Sequence, residues 1–416
     1  MQVNLTPLKI ARFCNQTDQW QFYENRHDAI HSEQYDPSWK MSLQQTLPDY
    51  STGSGGDNHV KGLKIGTFNV LFDLVPFFIK PILRSRQRWR YTVEMLKREN
   101  FDILVLNEVT SRFLFFLQEE PFFKDNYFFS DIFEFPSEKL KTLDTVNHSL
   151  GSRMGNLIIS KFAPNQMFME SNAIPSRPAI YAMFSQTATS NPQHSDLSIV
   201  AVHTSAMTNN HEKRRKELLT LSSAPILHGI RDVIMMGDLN LHDEKEDVII
   251  EEMGFRDMWT QTRQDMNKGY TFDSVRNTMV RVMFYGMEIR RMRLDRMLVK
   301  SDSLWTSRKK VKIFADRPLC ELVPDERLGV PWWWKAFSIF FGDYLFCSDH
   351  FGLQTRLVQC ETPEKQDQLL SSIREKWDQE TEGGPSSNHR LVLLSVLGVS
   401  VVVIFLFSLL IGYFLE

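Results

Sequence analysis

Apolar residues along this chain recur in two rhythms that take turns. In KGLKIGTFNVLF, from Lys61, the residues Leu63, Ile65 and Thr67 alternate with their neighbours before Asn69, the period of a strand. In RSRQRWRYTVEMLKRENF, Trp89, Val93 and Leu96 form one stripe and the arginines take the other face, the period of an amphipathic helix. FDILVLNEVT then reads as a strand ending at Asn107 and Glu108. GNLIISKF from Gly155, RPAIYAMF from Arg177 and DLSIVAVHTSA from Asp196 are strand-like, and NNHEKRRKELLTLSSAPIL is helical, with a basic stretch from Lys213 to Lys216 that reads as a solvated face. DVIMMGDLNLHD from Asp232, RRMRLDRMLV from Arg290 and CSDHFGLQTRLV from Cys347 return to the strand pattern. Strands alternating with helices predict an α/β fold. The aromatic run FLFFLQEEPFFKDNYFFSDIFEF, from Phe113, suits core packing.

The strands share the way they stop. Asn69, Glu108, His203, Asp238 with Asn240, Asp295, and Asp349 with His350 all fall at strand ends. At the mouth of a sheet, Asp238 can serve as a base for an attacking water and Asn240 can orient a phosphate oxygen. Glu108 is a metal-competent group delivered in the same way, while cationic neighbours on both sides of Asp295 should keep it ionised. Each signal is common in isolation. Their order through the chain is what makes them specific.

TFN at 67–69, NEV at 107–109, HTS at 203–205, GDLN at 237–240, LDR at 294–296 and SDH at 348–350 resemble the ordered motifs of the endonuclease/exonuclease/phosphatase superfamily, the deoxyribonuclease I-like fold. The resemblance covers residues 61–358. It implies a four-layered α/β/β/α sandwich and hydrolysis of phosphoesters with Mg²⁺, for which Mn²⁺ can substitute, and no covalent enzyme intermediate. GDLNLHD, HEKRRKEL and GYTFDS followed by RLDR are most similar to the type 2 tyrosyl-DNA phosphodiesterases, which hydrolyse a 5′-phosphotyrosyl bond.

Carried over residue by residue, the resemblance assigns Glu108, helped by Asn69, to the metal, with Asp349 bearing on the ion or its water shell. Asp238 would activate water, and Asn240 and His203 would hold the phosphate. His350, oriented by Asp295, would stabilise the transition state or protonate the leaving oxygen. Phe68, Asn107 and Phe351 stand where the family commonly has Trp, Gln and Trp. Leu239 stands where the closest phosphodiesterases have Thr and looks more like the neutral sphingomyelinase branch. The substrates in view are therefore protein-linked or free nucleic acid, or a phospholipid. A catalytically silent membrane scaffold is the reading from a different class.

Composition changes this picture in three places. The net charge of -3 over 416 residues gives no global attraction to nucleic acid, so phosphate affinity must be local. Cys14, Cys320, Cys347 and Cys360 have no CxxC spacing and fit a reducing compartment. Residues 391–415 carry no charge and exceed the roughly 20 residues that span a bilayer, which predicts a transmembrane tail anchor. Arg390 and His389 flank its N-terminal side, placing the bulk of the chain in the cytosol, and the helix length and weakly basic flanks favour the endoplasmic reticulum or nuclear envelope. Residues 1–59, closing on TGSGGDN, read as a flexible N-terminal region with a short docking element near Trp20 to Trp39. The expected organisation is that region, a catalytic domain over 60–360, a linker over 361–390 and the anchor. PWWWKAFSIFF, from Pro331, reads as an insertion suited to a membrane interface or to an aromatic lid.

Overall fold

The structure, a computed structural model, describes residues 5–35, 37–48, 50, 62–73, 83–132, 154–185, 196–263, 268–284, 288–319 and 345–381. The expected anchor over 391–415 and the insertion from Pro331 lie outside the described residues. Among the described residues no helix is long and apolar enough to cross a membrane.

Two sheets stack face to face as a mixed α/β sandwich. The first contains β1 (Leu5–Pro7), β8 (Gln166–Glu170), β9 (Ala179–Phe184), β10 (Leu197–His203), β11 (Asp232–Asp238), β15 (Asp295–Ser301) and β12 (Arg256–Asp257), in that spatial order. The second runs β16 (Trp305–Ser307), β18 (Gly352–Gln359), β4 (Leu63–Asn69), β5 (Ile103–Val109), β7 (Gly155–Ser160), β6 (Phe128–Phe129), β2 (Ile10–Cys14) and β3 (Gln19–Tyr23), with β17 (Lys312–Phe314) also paired to β18. β4 pairs with β5 in parallel, as β10 does with β11. These central strands are buried on both faces, which explains their nearly continuous apolar runs.

The inner core joins Ile65, Ile103, Val105 and Ile158 of one sheet to Ile199, Ala201, Ile234 and Met236 of the other. On the outer face of the second sheet, the helix α3 (Ser85–Glu99) sets Trp89, Val93 and Leu96 against Phe68, Leu104 and Leu106. On the outer face of the first, α6 (His211–Ser222) sets Leu218 and Leu221 against Val200, Val202 and Met235. The aromatic run becomes α4 (Ser111–Gln118), α5 (Pro121–Asn126) and β6, with Phe113, Phe123, Phe128 and Phe129 buried.

Three expectations are corrected. The N-terminal region is built into the sandwich: β1 adds an edge strand to the first sheet, β2 and β3 extend the second, and α1 (Arg26–His31) and α2 (Pro37–Leu43) follow. Its strands are too short to show a long apolar run, and pairing with β8 and β6 together with burial of Ile10, Cys14 and Tyr23 in the inner core holds them. At the other end the body continues past residue 360 into α10 (Pro363–Thr381), where Arg374 Nε donates to the Gln261 carbonyl at 2.9 Å, on α8 (Met258–Thr262). Finally, the basic stretch on α6 is not uniformly solvated. Arg214 is fully buried and its guanidinium is bidentate to Glu246 at 2.9 and 2.7 Å, an ion pair whose partner lies too far along the chain for a helical pattern to reveal.

Candidate active site

Strand register assembles one half of the site. Parallel pairing sets His203 opposite Asp238, and antiparallel pairing sets Asp238 opposite Asp295, so three polar side chains share one level on neighbouring strands. Gly237 makes this closeness possible. Its φ is +144°, and a Cβ there would stand 1.9 Å from the Val202 carbonyl oxygen. Beneath it Asn107 ties the sheets together: its Oδ1 accepts from the Asp238 N–H at 3.1 Å, while its Nδ2 donates to the Val202 carbonyl at 3.0 Å and to Asn156 Oδ1 at 2.6 Å.

The other half depends on a departure from regular pairing. Asn69 stands opposite Asn107, but the register of β5 slips between Leu106 and Val109, and Glu108 takes a φ of +59°. A non-glycine residue there costs on the order of 1–3 kcal/mol and persists where its surroundings hold it. Phe72 N–H donates to Glu108 Oε2 at 3.0 Å and Asn69 Nδ2 to Oε1 at 3.1 Å. His350 arrives through a single bridge to Phe272, on β13 (Phe272–Asp273), with Ser348 Oγ accepting its N–H at 3.2 Å and donating to Asp349 Oδ1 at 3.1 Å.

These halves meet at the Asp238 carboxylate. Asn69 Nδ2 donates to its Oδ2 at 3.1 Å, His203 Nε2 stands 3.5 Å from the same oxygen and His350 Nε2 3.9 Å from it. His350 Nδ1 donates to Asp295 Oδ2 at 2.8 Å. Burial opposes charge on His350, but Asp295, Asp238 and Asp349 outweigh it and carry the imidazole well above its ordinary range. His203 goes the opposite way: burial, then Arg177 and His350, hold it well below, so the neutral ring presents Nε2 as acceptor to Arg177 Nη1 at 2.7 Å. Burial, reinforced by Asp349, pushes Glu108 up to about 7. Burial, opposed by His350 and reinforced by Asp295, pushes Asp238 up to about 6.

The donor set asks for a cation. Glu108 Oε1 and Asp238 Oδ2 are both acceptors converging on Asn69 Nδ2, and two carboxylates brought together in this way are favourable with a proton or a metal ion between them, while His203 Nε2, 3.9 Å from Glu108 and 3.5 Å from Asp238, is turned to Arg177. Two overlapping groups, Glu108 with His203 and Asp238, and Asp238 with Asp295 and His350, each bring potential ligand atoms within 4.8 Å of one another, but the protonated His350 donates to Asp295, which leaves the carboxylates of the first group as the ligands on offer. Oxygen-rich sets of this kind suit hard divalent ions.

The chain's residues 66–350 match the family model described as Endonuclease/Exonuclease/phosphatase family. The chain belongs to that family. Among solved structures it is similar to TDP2 from D. rerio complexed with single strand DNA product, at 18% identity and a TM-score of 0.48, over 71% of this chain and 98% of that one. It is also similar to truncated TDP2 from Caenorhabditis elegans (16%, 0.44, 71% and 97%) and to a protein of the same family from Bacteroides thetaiotaomicron (15%, 0.45, 72% and 98%). No curated protein matches the sequence.

In this endonuclease/exonuclease/phosphatase chain the sequence-derived residues converge, with adjustments. Asn69 Oδ1 accepts from the Leu71 N–H at 3.1 Å, so the amide nitrogen faces the centre and orients Glu108 and Asp238 instead of offering an oxygen to an ion. Asn240, at φ +49°, donates its side-chain amide to the Thr204 carbonyl at 3.1 Å and its N–H to Asp238 Oδ1 at 3.0 Å, so it also braces the base. Asp349 belongs to neither potential ligand group and acts on Glu108 through its charge. The cations beside Asp295 do not serve it. Arg293 and Arg296 turn to Asp247 and Asp257, and the partner of Asp295 is His350.

Arg177 belongs to no polar motif in the sequence, and pairing between strands gives it its place. It precedes β9, which runs antiparallel to β10, and antiparallel pairing brings the start of one strand to the end of its neighbour.

Proposed function

We propose that this family member hydrolyses a phosphodiester with a divalent metal ion, by in-line attack of water, on the four-layered α/β/β/α sandwich that the resemblance implies. The observation that carries the reading is the convergence of His203, His350, Asn69 and Glu108 on the single carboxylate of Asp238. A bound Mg²⁺ would supply charge neutralisation at the phosphate oxygens, and Glu108 is the residue that would hold it, with Asp349 bearing on its surroundings.

Asp238, ionised above about pH 6, takes the proton from water. Asn69 and Asn240 fix its two oxygens so that the accepting lone pair keeps its direction. His350, kept protonated by Asp295, delivers a proton or a charged hydrogen bond to the leaving oxygen. Arg177, held against neutral His203, adds a cation to the phosphate side of the cleft.

The substrate we favour is a 5′-phosphotyrosyl bond to DNA, which rests on GYTFDS, RLDR and GDLNLHD. A membrane phosphodiester of the sphingomyelin type is the second reading, favoured by Leu239 and by the apolar side chains of Phe284 and Ile289, exposed on the segment that leads from His350's neighbour Phe272. Residues 391–415 would anchor the body to the cytosolic face of the endoplasmic reticulum or nuclear envelope. The full chain in detergent should cleave a 5′-tyrosyl oligonucleotide with Mg²⁺, in preference to sphingomyelin and a plain single strand, and lose that activity with EDTA or with Asp238→Asn. If the unaltered chain does no better than Asp238→Asn on all three, only the silent scaffold is left.

A further inference from the structure

Arg88 and Arg214 are both completely buried, and they dispose of their charge in different ways. Arg214 meets Glu246 in a bidentate pair at 2.9 and 2.7 Å. Arg88, on α3, donates only to backbone carbonyls: Nε to Leu83 at 2.8 Å, and Nη1 to Cys347 at 2.9 Å and to Val70 at 3.5 Å. Its Nη2 has no partner among the described residues. A buried cation with no carboxylate in its hydrogen bonds is costly to keep, and a guanidinium does not escape the cost by shedding its proton. Charge further off must compensate.

The carbonyl partners show where that charge lies. Val70 follows Asn69 at the end of β4, and Phe72, two residues on, donates to Glu108. Cys347 opens the segment Ser348, Asp349, His350. The guanidinium therefore ties together the two segments that bring Asn69, Asp349 and His350 to the site. Burial lowers Arg88 to about 10, which leaves it a cation at neutral pH, and Asp349 is the largest influence opposing that fall, with Asp73 and Glu108 behind it. Asp73 is itself buried, and its Oδ1 accepts from Thr110 Oγ1 at 2.8 Å, two residues past Glu108. A fixed positive charge thus stands in the field of the carboxylate that would hold a metal ion and of the one that would bear on its surroundings. The charge that steadies those carboxylates also repels a divalent ion.

We propose that Arg88 is a built-in counter-ion, a positioning residue whose fixed charge balances Asp349 and Asp73 beside Glu108 and so limits how tightly the site holds a divalent ion. The ion then exchanges with solvent between turnovers. This rests on the metal-ion part of the proposed function. The test is titration calorimetry of Mg²⁺ into the full chain in detergent at about pH 8.5, where Glu108, near 7 without metal, is ionised.

Arg88→Met, which has neither charge nor donor, and Arg88→Gln, which keeps a donor for the Cys347 or Leu83 carbonyl, should both bind Mg²⁺ about tenfold more tightly than the unaltered chain. Arg88→Lys, which keeps the charge, should stay within about twofold of it. A bridge without an electrostatic role predicts the reverse: loosened segments and weaker binding, worst for Arg88→Met. Equal or weaker binding by a neutral variant that still unfolds cooperatively overturns the proposal, as does an Arg88→Lys chain that binds as tightly as the neutral ones. Should Arg88→Met not fold, Arg88→Gln decides by the same criterion. An unaltered chain that takes up no Mg²⁺ overturns the metal reading, and the counter-ion with it.

Discussion

The two sheets supply the candidate site in different ways. The first does it by regularity: in-register pairing of β10, β11 and β15 lines up His203, Asp238 and Asp295, and Gly237 lets the strands approach. The second does it by irregularity, through the slipped register and positive φ at Glu108 and the single bridge that brings His350 in. Regular pairing sets proton-transfer groups at fixed spacing. The irregular half places a carboxylate where no strand would put it, and hydrogen bonds from Phe72 and Asn69 hold it there. The regular half should therefore fail through loss of the base or backbone collision, and the irregular half through loss of the metal at Glu108 or of the proton donor at His350.

The largest expected effect is on the regular half. Asp238→Asn keeps the shape and removes the base, and kcat should fall by about 10³-fold with little change in Tm. Gly237→Ala should break the register itself, because its Cβ would meet the Val202 carbonyl, with a loss of about 3 kcal/mol read by denaturant unfolding.

Glu108→Gln should leave the fold in place and weaken Mg²⁺, with the metal concentration for half-maximal activity rising about 10-fold to 100-fold. An unchanged metal requirement would remove Glu108 from that role and erase the contrast between the halves.

Proton linkage sharpens the same comparison. Without metal, Glu108 and Asp238 have folded-state values of about 7 and about 6, raised above their ordinary carboxylate range. Raised groups bind more protons in the folded state, so their stabilisation is complete below about pH 4 and is lost as the pH rises through about 6 to 7. A cation replaces those protons. The gain in Tm on adding Mg²⁺ should therefore be larger near pH 8 than near pH 5.5, and calorimetry should record proton release on binding near neutral pH. The smallest effect expected is for Arg177→Gln, a fall in kcat/KM of about tenfold with the metal requirement unchanged.

Much of this was legible in the chain. The apolar runs that are β5, β10 and β11 announce themselves because strands buried on both faces must be nearly apolar throughout, β4 shows itself by alternation, and the polar residues at the strand ends stand out against that background. The role of Asn107 was not legible. A buried amide binding two sheets has no local pattern, and its partners Asn156, Val202 and Asp238 are dozens of residues away. Arg177 was hidden by strand direction, and Arg214 by a stretch of cations that looks solvated on its own helix.

The sequence by itself determined that the central strands would form and which acids, amides and histidines would stand at their ends, because hydrophobic period and residue chemistry are local properties. Only the tertiary structure decided that Asn69 presents its nitrogen, that His203 is neutral while His350 is charged, and that residues 5–48 belong to the body. Those outcomes follow from hydrogen-bond direction, burial and strand pairing, which arise between segments far apart in the chain.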